Sequence, residues 1–276
     1  MSDQQKRARL REILTGSEGA VAPGVTDPLF ARLAADCGYS VVHLSGNAIH
    51  KNFCLVDQNI LTASEIAQRA AQINEALDIP LIVDAGPAPR TTNVIARAVR
   101  AFERAGAAAI RFEDSSIEER GGDTEAISIA SKAVMVDRIK AAVDVRTDST
   151  LVLIARCDAR VSEPLAQIHD RLAAYVEAGA DAIGVQLNNP EEFRQIGARS
   201  PAPLVSLWPK TSMTVFEFLQ LGFRIALMPS SVPLAGLSAA REMLLELNEK
   251  GTDRDYFSRQ KEFQEIERWY RNLGRQ

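Results

Sequence analysis

Cysteine is sparse and poorly placed for a structural role: Cys37, Cys54 and Cys157 are odd in number, far apart and without a CxxC pair. That argues against a disulfide framework and a zinc site alike, and fits a reducing cytoplasm as the expected compartment. Long apolar runs are missing too. No segment approaches eighteen uninterrupted apolar residues, and the start, MSDQQKRARLREIL, is charged throughout with neither an apolar core nor a cleavage site, so export and membrane insertion are not expected. Clustered basic charge is also absent. Thirty-two Lys and Arg are spread among 36 Asp and Glu, for a formal net charge of −4, which leaves no electrostatic footprint for nucleic acid or anionic lipid. No GxGxxG follows the first strand candidate, so a dinucleotide-binding fold lacks its main support.

What is present is a repeated unit. An apolar-periodic helix ends at a Gly or an Ile-Pro, and a short β-branched strand follows almost at once: ADCGYSVVHLSG (35–46), ALDIPLIVDAG (76–86), RAGAAAIRFED (104–114), EAGADAIGVQL (177–187) and LGFRIALMPS (221–230). Gly is favoured just past a helix end, and nearly continuous apolar runs suit parallel strands buried on both faces. Strand candidates at 19–24, 150–158 and 202–208 bring the count to eight, and helices are expected near 26–37, 63–77, 92–105, 130–143, 162–178, 190–198, 212–221 and 233–249. Eight such units in a chain of 276 residues predict an α/β fold, a closed (β/α)8 TIM-type barrel, in one domain spanning 1–276. Two helices are extra: 4–14 before the first strand and 254–271 at the end. The latter belongs to a C-terminal extension over 250–276 whose Phe257, Phe263, Ile266, Trp269 and Tyr270 fit packing on a partner subunit.

Barrel enzymes place their chemistry at the C-terminal ends of the strands. There this chain carries Ser45-Gly46-Asn47, then Asp57 in a long loop, Asp84, Glu113-Asp114 and Arg156-Cys157-Asp158. So many carboxylates at one mouth are costly unless a cation or an anionic substrate balances them; magnesium with an arginine holding a substrate carboxylate is the simplest resolution. Plainer readings stand beside it: Asp84 and Glu113 as helix caps or ion-pair partners, Arg156 as a structural partner of Glu113 or Asp158, and Asp57 as a solvated loop residue. His43 reads as a core or lumen residue, His50 as a surface residue or one reaching substrate, and Cys157 as a packing residue with no His to activate it.

The stretches VAPGVTDPLFARLAADCGYSVVHLSG, CLVDQNILT, LIVDA, RAGAAAIRFED, LVLIARCDA and EAGADAIGV, in order over about residues 8–245, resemble the isocitrate lyase and phosphoenolpyruvate mutase superfamily. The resemblance implies a small 2-oxo or 2-hydroxy carboxylate substrate and a Mg2+ (or Mn2+) cofactor. Asp84 would be the direct ligand, and Asp57 and Glu113 would hold metal-bound waters. It further implies that Ser45, Gly46 and Asn47 bind a substrate carboxylate, that Arg156 neutralises it, and that catalysis rests on Arg156 and Glu113. A homo-oligomer is implied as well, a dimer of dimers exchanging C-terminal helices.

Two departures qualify this. The superfamily's Asp-Ala-Asp-x-Gly-Tyr-Gly reads Asp84-Ala85-Gly86-Pro87-Ala88-Pro89-Arg90, so the second carboxylate is lost. The lyases' loop cysteine, a proton donor, falls at Gly121, which cannot act as an acid. The expectation is therefore a magnesium-dependent carbon–carbon lyase or decarboxylase working through an enolate, of the oxaloacetate decarboxylase type. A carboxylate-binding barrel without turnover and a hydrolase of a 2-oxo acid derivative are the alternatives.

Overall fold

The computed structural model describes residues 1–56, 60–87, 92–115, 128–187, 189–209 and 213–274. Eight strands form one parallel sheet: β1 (Ala20–Pro23), β2 (Val42–Leu44), β3 (Leu81–Pro87), β4 (Ala109–Glu113), β5 (Val152–Cys157), β6 (Ala182–Val185), β7 (Leu204–Leu207) and β8 (Phe223–Met228). They are ordered β1-β8-β7-β6-β5-β4-β3-β2. The remaining seam closes through a parallel bridge between Gly24 and His43, where the Val25 N–H donates to the His43 carbonyl at 2.9 Å. The fold is a (β/α)8 barrel, as the repeated unit predicts.

The helices of the first compact unit, Met1–Val232, are α1 (Asp3–Thr15), α2 (Pro28–Asp36), α3 (Gly46–Asn52), α4 (Ala63–Glu75), α5 (Thr92–Arg104), α6 (Lys132–Val145), α7 (Leu165–Glu177), α8 (Pro190–Arg199) and α9 (Val215–Gln220). Their starts are written locally. Thr62 and Glu65 form a reciprocal capping box on α4, Thr214 and Glu217 do the same on α9, and Asp27-Pro28 and Asn189-Pro190 place a capping side chain before a proline. Gly106 and Gly179, just past α5 and α7, adopt φ of +80° and +104°, the left-handed turn that lets each following strand start at once. The short α3 lies in a stretch where the sequence pattern predicts only loop.

Period-two alternation divides the buried side chains into two layers. Val42, Leu44, Leu81, Val83, Ile110, Phe112, Leu153, Ala155 and Ile183 point outward into the main core beneath the helices. Val41, Ile82, Ala109, Val152, Ile154, Ala182, Val205, Ile225 and Leu227 point into the lumen. Leu10, Ile13 and Leu14 of α1 join that lumen cluster, so the extra N-terminal helix plugs the floor. Arg7 pins it, donating to the carbonyls of Ala107 (3.0 Å) and Glu103 (2.7 Å) and to Asp148 (2.7 Å).

The second unit, Pro233–Gln276, holds most of α10 (Ser231–Lys250), with α11 (Arg254–Arg259) and α12 (Phe263–Asn272). The expected single helix over 254–271 is broken. The chain turns at Gln260–Glu262, so Phe263 packs on Phe257 with ring centroids 4.1 Å apart, a contact that one straight helix does not allow. Arg259 binds Glu246 of α10. No residue of α10 is buried, and Leu234, Leu237, Leu244 and Leu245 are each more than half exposed. Among the described residues no helix is long and apolar enough to cross a membrane.

Candidate active site

Following each lumen column toward the strands' C-terminal ends, apolar side chains give way to polar ones on one side of the barrel. Val41 is succeeded by His43 and Ser45, Ile82 by Asp84 and Gly86, Ala109 by Arg111 and Glu113, and Ile154 by Arg156 and Asp158. Register aligns them: Asp84 lies opposite Arg111, and Glu113 opposite Arg156. Four adjacent strands thus deliver a charged layer directly above the apolar floor.

Asp84 is buried, and both oxygens of its carboxylate accept hydrogen bonds. Oδ2 accepts from Arg111 Nη2 at 2.5 Å and from the Gly46 N–H at 3.3 Å, while Oδ1 accepts from the Gly86 N–H at 3.1 Å. Burial alone would raise the Asp84 pKa, but Arg111, with smaller contributions from His43 and Arg156, holds the carboxyl well below the ordinary carboxylate range. Gly86 adopts φ +68°, a turn disfavoured for side-chain-bearing residues, which accounts for glycine at the position of the second aspartate. Arg111 is 2% exposed, and its Nε finds no acceptor among the described residues.

Arg156 sits between two carboxylates. Nη1 donates to Glu113 at 3.1 Å, Nε to Asp158 at 2.6 Å, and Nη2 to the Gln186 side chain at 3.3 Å. Glu113 also accepts from the Ser115 hydroxyl at 2.9 Å. The plainer reading of Arg156, an ion pair with Glu113 or Asp158, is met with both at once, and this fixes the plane of the guanidinium at the mouth. Asp114 alternates outward and is structural. It accepts from the Asp158 N–H at 2.7 Å, the Tyr175 hydroxyl at 2.7 Å and Arg171 at 3.4 Å, tying β4 to β5 and α7.

Ser45 caps α3 by accepting from the Ala48 N–H at 3.4 Å, and Asn47 is exposed next to it. His50 is buried, unlike either expectation for it. Its Nε2 accepts from the Leu61 N–H at 3.2 Å, so Nδ1 carries the proton given to the Gly46 carbonyl at 2.6 Å, and the ring ties α3 to the segment before α4. His43 is fully buried in the lumen with neither ring nitrogen partnered among the described residues. Burial, reinforced by Arg111, pushes its pKa down to about 3 and keeps the ring neutral. Burial also raises the Cys157 thiol far above its ordinary pKa, so it packs rather than reacts.

Asp57, Arg90 and Gly121 lie outside the described residues. Of the three carboxylates expected to hold magnesium, the two described ones are engaged by arginines. Among the described residues no group of three or more His, Cys, Asp or Glu comes together in a way that could hold a metal ion. As they stand, the described residues do not fit a divalent cation. Arg111 is the residue that the sequence reading passed over. Its signal was available: an arginine inside an apolar strand, two positions before Glu113 and so on the same face.

A barrel whose polar mouth gathers arginines and carboxylates above an apolar floor defines a class of enzymes handling small anions. Within that class the chain belongs to the phosphoenolpyruvate phosphomutase family, whose model matches residues 10–248. It is 38% identical over 251 residues to the 2-methylisocitrate lyase of Aeropyrum pernix, covering 89% of this chain and 81% of that one. The crystal structure of the phosphoenolpyruvate phosphomutase from Streptomyces platensis subsp. rosaceus superposes with a TM-score of 0.86 at 25% identity, covering 98% of both chains. A phosphonopyruvate hydrolase complexed with oxalate and Mg++ does so with a TM-score of 0.82 at 26% identity, covering 100% of this chain and 99% of that one.

Proposed function

We propose that the protein is a cytoplasmic carbon–carbon lyase that cleaves a small 2-oxo or 2-hydroxy carboxylate through an enolate, with oxaloacetate-type decarboxylation favoured over tricarboxylate cleavage. The observation that carries this reading is Arg156, held flat at the mouth by Glu113 and Asp158 one strand from the Asp84–Arg111 pair. Arg156 takes the carboxylate next to the substrate carbonyl along its Nη2 edge, displacing Gln186. Ser45, Gly46 and Asn47 line the approach, and Glu113 keeps the guanidinium in register. When the bond between C3 and the departing carboxylate breaks, carbon dioxide leaves and the electron pair moves onto the carbonyl oxygen. That transition state needs positive charge, which Arg156 and Arg111 supply in a lumen of low dielectric. Water then returns a proton to C3. Gly121, unable to give a proton, supports the preference against tricarboxylates, whose carbanionic fragment must be protonated stereospecifically.

The test compares pyruvate release from oxaloacetate with glyoxylate release from isocitrate and 2-methylisocitrate, after subtraction of the uncatalysed rate. Pyruvate release is expected to dominate; efficient glyoxylate release would reverse the substrate assignment. Arg156→Lys keeps the charge but loses the planar fork, and should lower kcat/KM by about 10- to 100-fold, the worth of one charge-assisted contact.

We also read the chain as a homo-oligomer, a dimer of dimers, supported by the exposed leucine stripe of α10.

A further inference from the structure

We propose that Arg111 stands in for a divalent cation at Asp84, so that this barrel binds its 2-oxo acid through guanidinium charge and without magnesium. The inference rests on the carboxylate-lyase reading above and concerns what supplies its positive charge. Two observations on separate strands converge on it. On β4, Arg111 is placed by register directly opposite Asp84 and forms a buried ion pair with Oδ2, the oxygen that also receives the Gly46 N–H. At the end of β3, the position matching the second carboxylate is Gly86, in a left-handed turn whose own N–H is spent on Asp84 Oδ1.

A cation brought to Asp84 therefore meets a carboxylate already neutralised and hydrogen-bonded on both oxygens. To ligate Asp84 it has to displace the Arg111 guanidinium, and β3 brings no second carboxylate. Repulsion from a guanidinium is strong in a buried site, and Arg111 cannot shed its proton to relieve it. Glu113 offers no alternative, because its two oxygens receive Ser115 and Arg156. Arg111 retains a donor for a ligand: its Nε is buried and unpartnered among the described residues.

The experiment uses the native full-length protein with oxalate as the enolate mimic and Mn2+ as the spectroscopic substitute for Mg2+. Calorimetry of oxalate binding is run in EDTA and in excess Mg2+, and the electron paramagnetic resonance signal of free Mn2+ is followed with and without oxalate. Expected are oxalate affinities agreeing within about twofold in the two buffers, and a free Mn2+ signal unchanged by protein and oxalate. Arg111→Met should weaken oxalate binding in EDTA by about tenfold or more, with Arg111→Lys, which retains the charge, falling between. Oxalate binding in Mg2+ but not in EDTA, or loss of free Mn2+ signal on adding protein and oxalate, overturns the role of Arg111 while leaving the lyase reading intact. Oxalate binding in neither buffer, with no pyruvate from oxaloacetate, overturns both.

Discussion

At the residue scale, the lumen layer should announce itself in the pH dependence of stability. His43 has an ordinary pKa of 6.5 but is pushed down to about 3 in the fold. Between those values the unfolded chain binds a proton that the native chain does not, so stability rises with pH and falls as pH drops through this window. The slope for one proton is about 1.4 kcal/mol per pH unit. Asp84 acts in a separate window: its depressed carboxyl gives stability that is complete above its ordinary pKa of 3.8 and is lost only as pH falls further. Urea unfolding of His43→Leu between pH 6 and pH 4 should therefore show a shallower slope than the native protein by about that one-proton amount. Identical slopes would mean that the buried ring is protonated after all. The Asp84–Arg111 pair makes a second prediction. Removing either partner alone strands a buried charge and should cost about 3–5 kcal/mol in urea denaturation, whereas the double change Asp84→Asn/Arg111→Met should cost much less than the sum. Additive losses would show that the two side chains do not depend on each other.

At the element scale, closure of the barrel depends on the seam where β1 meets β2 and β8. A Cβ on Gly24 would lie 2.1 Å from the Pro229 carbonyl oxygen, a backbone atom that cannot swing aside. Gly24→Ala should destabilise by about 2 kcal/mol or more through forced backbone movement, read as a fall in the urea midpoint at unchanged m-value. A change within a few tenths of a kcal/mol would mean that the seam is looser than its bridge implies. The floor plug is testable in the same way. Leu10 is fully buried in the lumen cluster, so Leu10→Ala should cost about 2–5 kcal/mol. Elements were the most legible level of the sequence. Gly or Ile-Pro punctuation marked five of the eight strand starts, because such signals act within a few residues. The break at Gln260–Glu262 was not legible, since what it gains is the Phe257–Phe263 contact, visible only once the chain has turned.

At the scale of the whole molecule, α10 carries Leu234, Leu237, Leu244 and Leu245 within about a third of its circumference at the helical period, all exposed in the single chain. Such a stripe is expected to be covered by a second copy. Sedimentation should give a species well above the 30.1 kDa of one chain, and Leu237→Arg combined with Leu244→Arg should return it toward the monomer. A native species of one chain's mass would refute the assembly.

The sequence by itself determined the barrel, because alternation and helical period are local rules repeated eight times, and it placed Ser45, Asp84, Glu113 and Arg156 at strand ends facing one mouth. It did not determine who pairs with whom. Asp84 and Arg111 are 27 positions apart, and only the β3–β4 register makes them neighbours. The same register sets Asp84, read from the sequence as a metal ligand, against the Arg111 guanidinium, and the packing of α3 against the segment before α4 turned His50 from a surface or substrate-reaching candidate into a fixed strut. Charge at the mouth could be counted from the sequence; its neutralisation is a matter of distances of a few ångström, which only the tertiary structure sets.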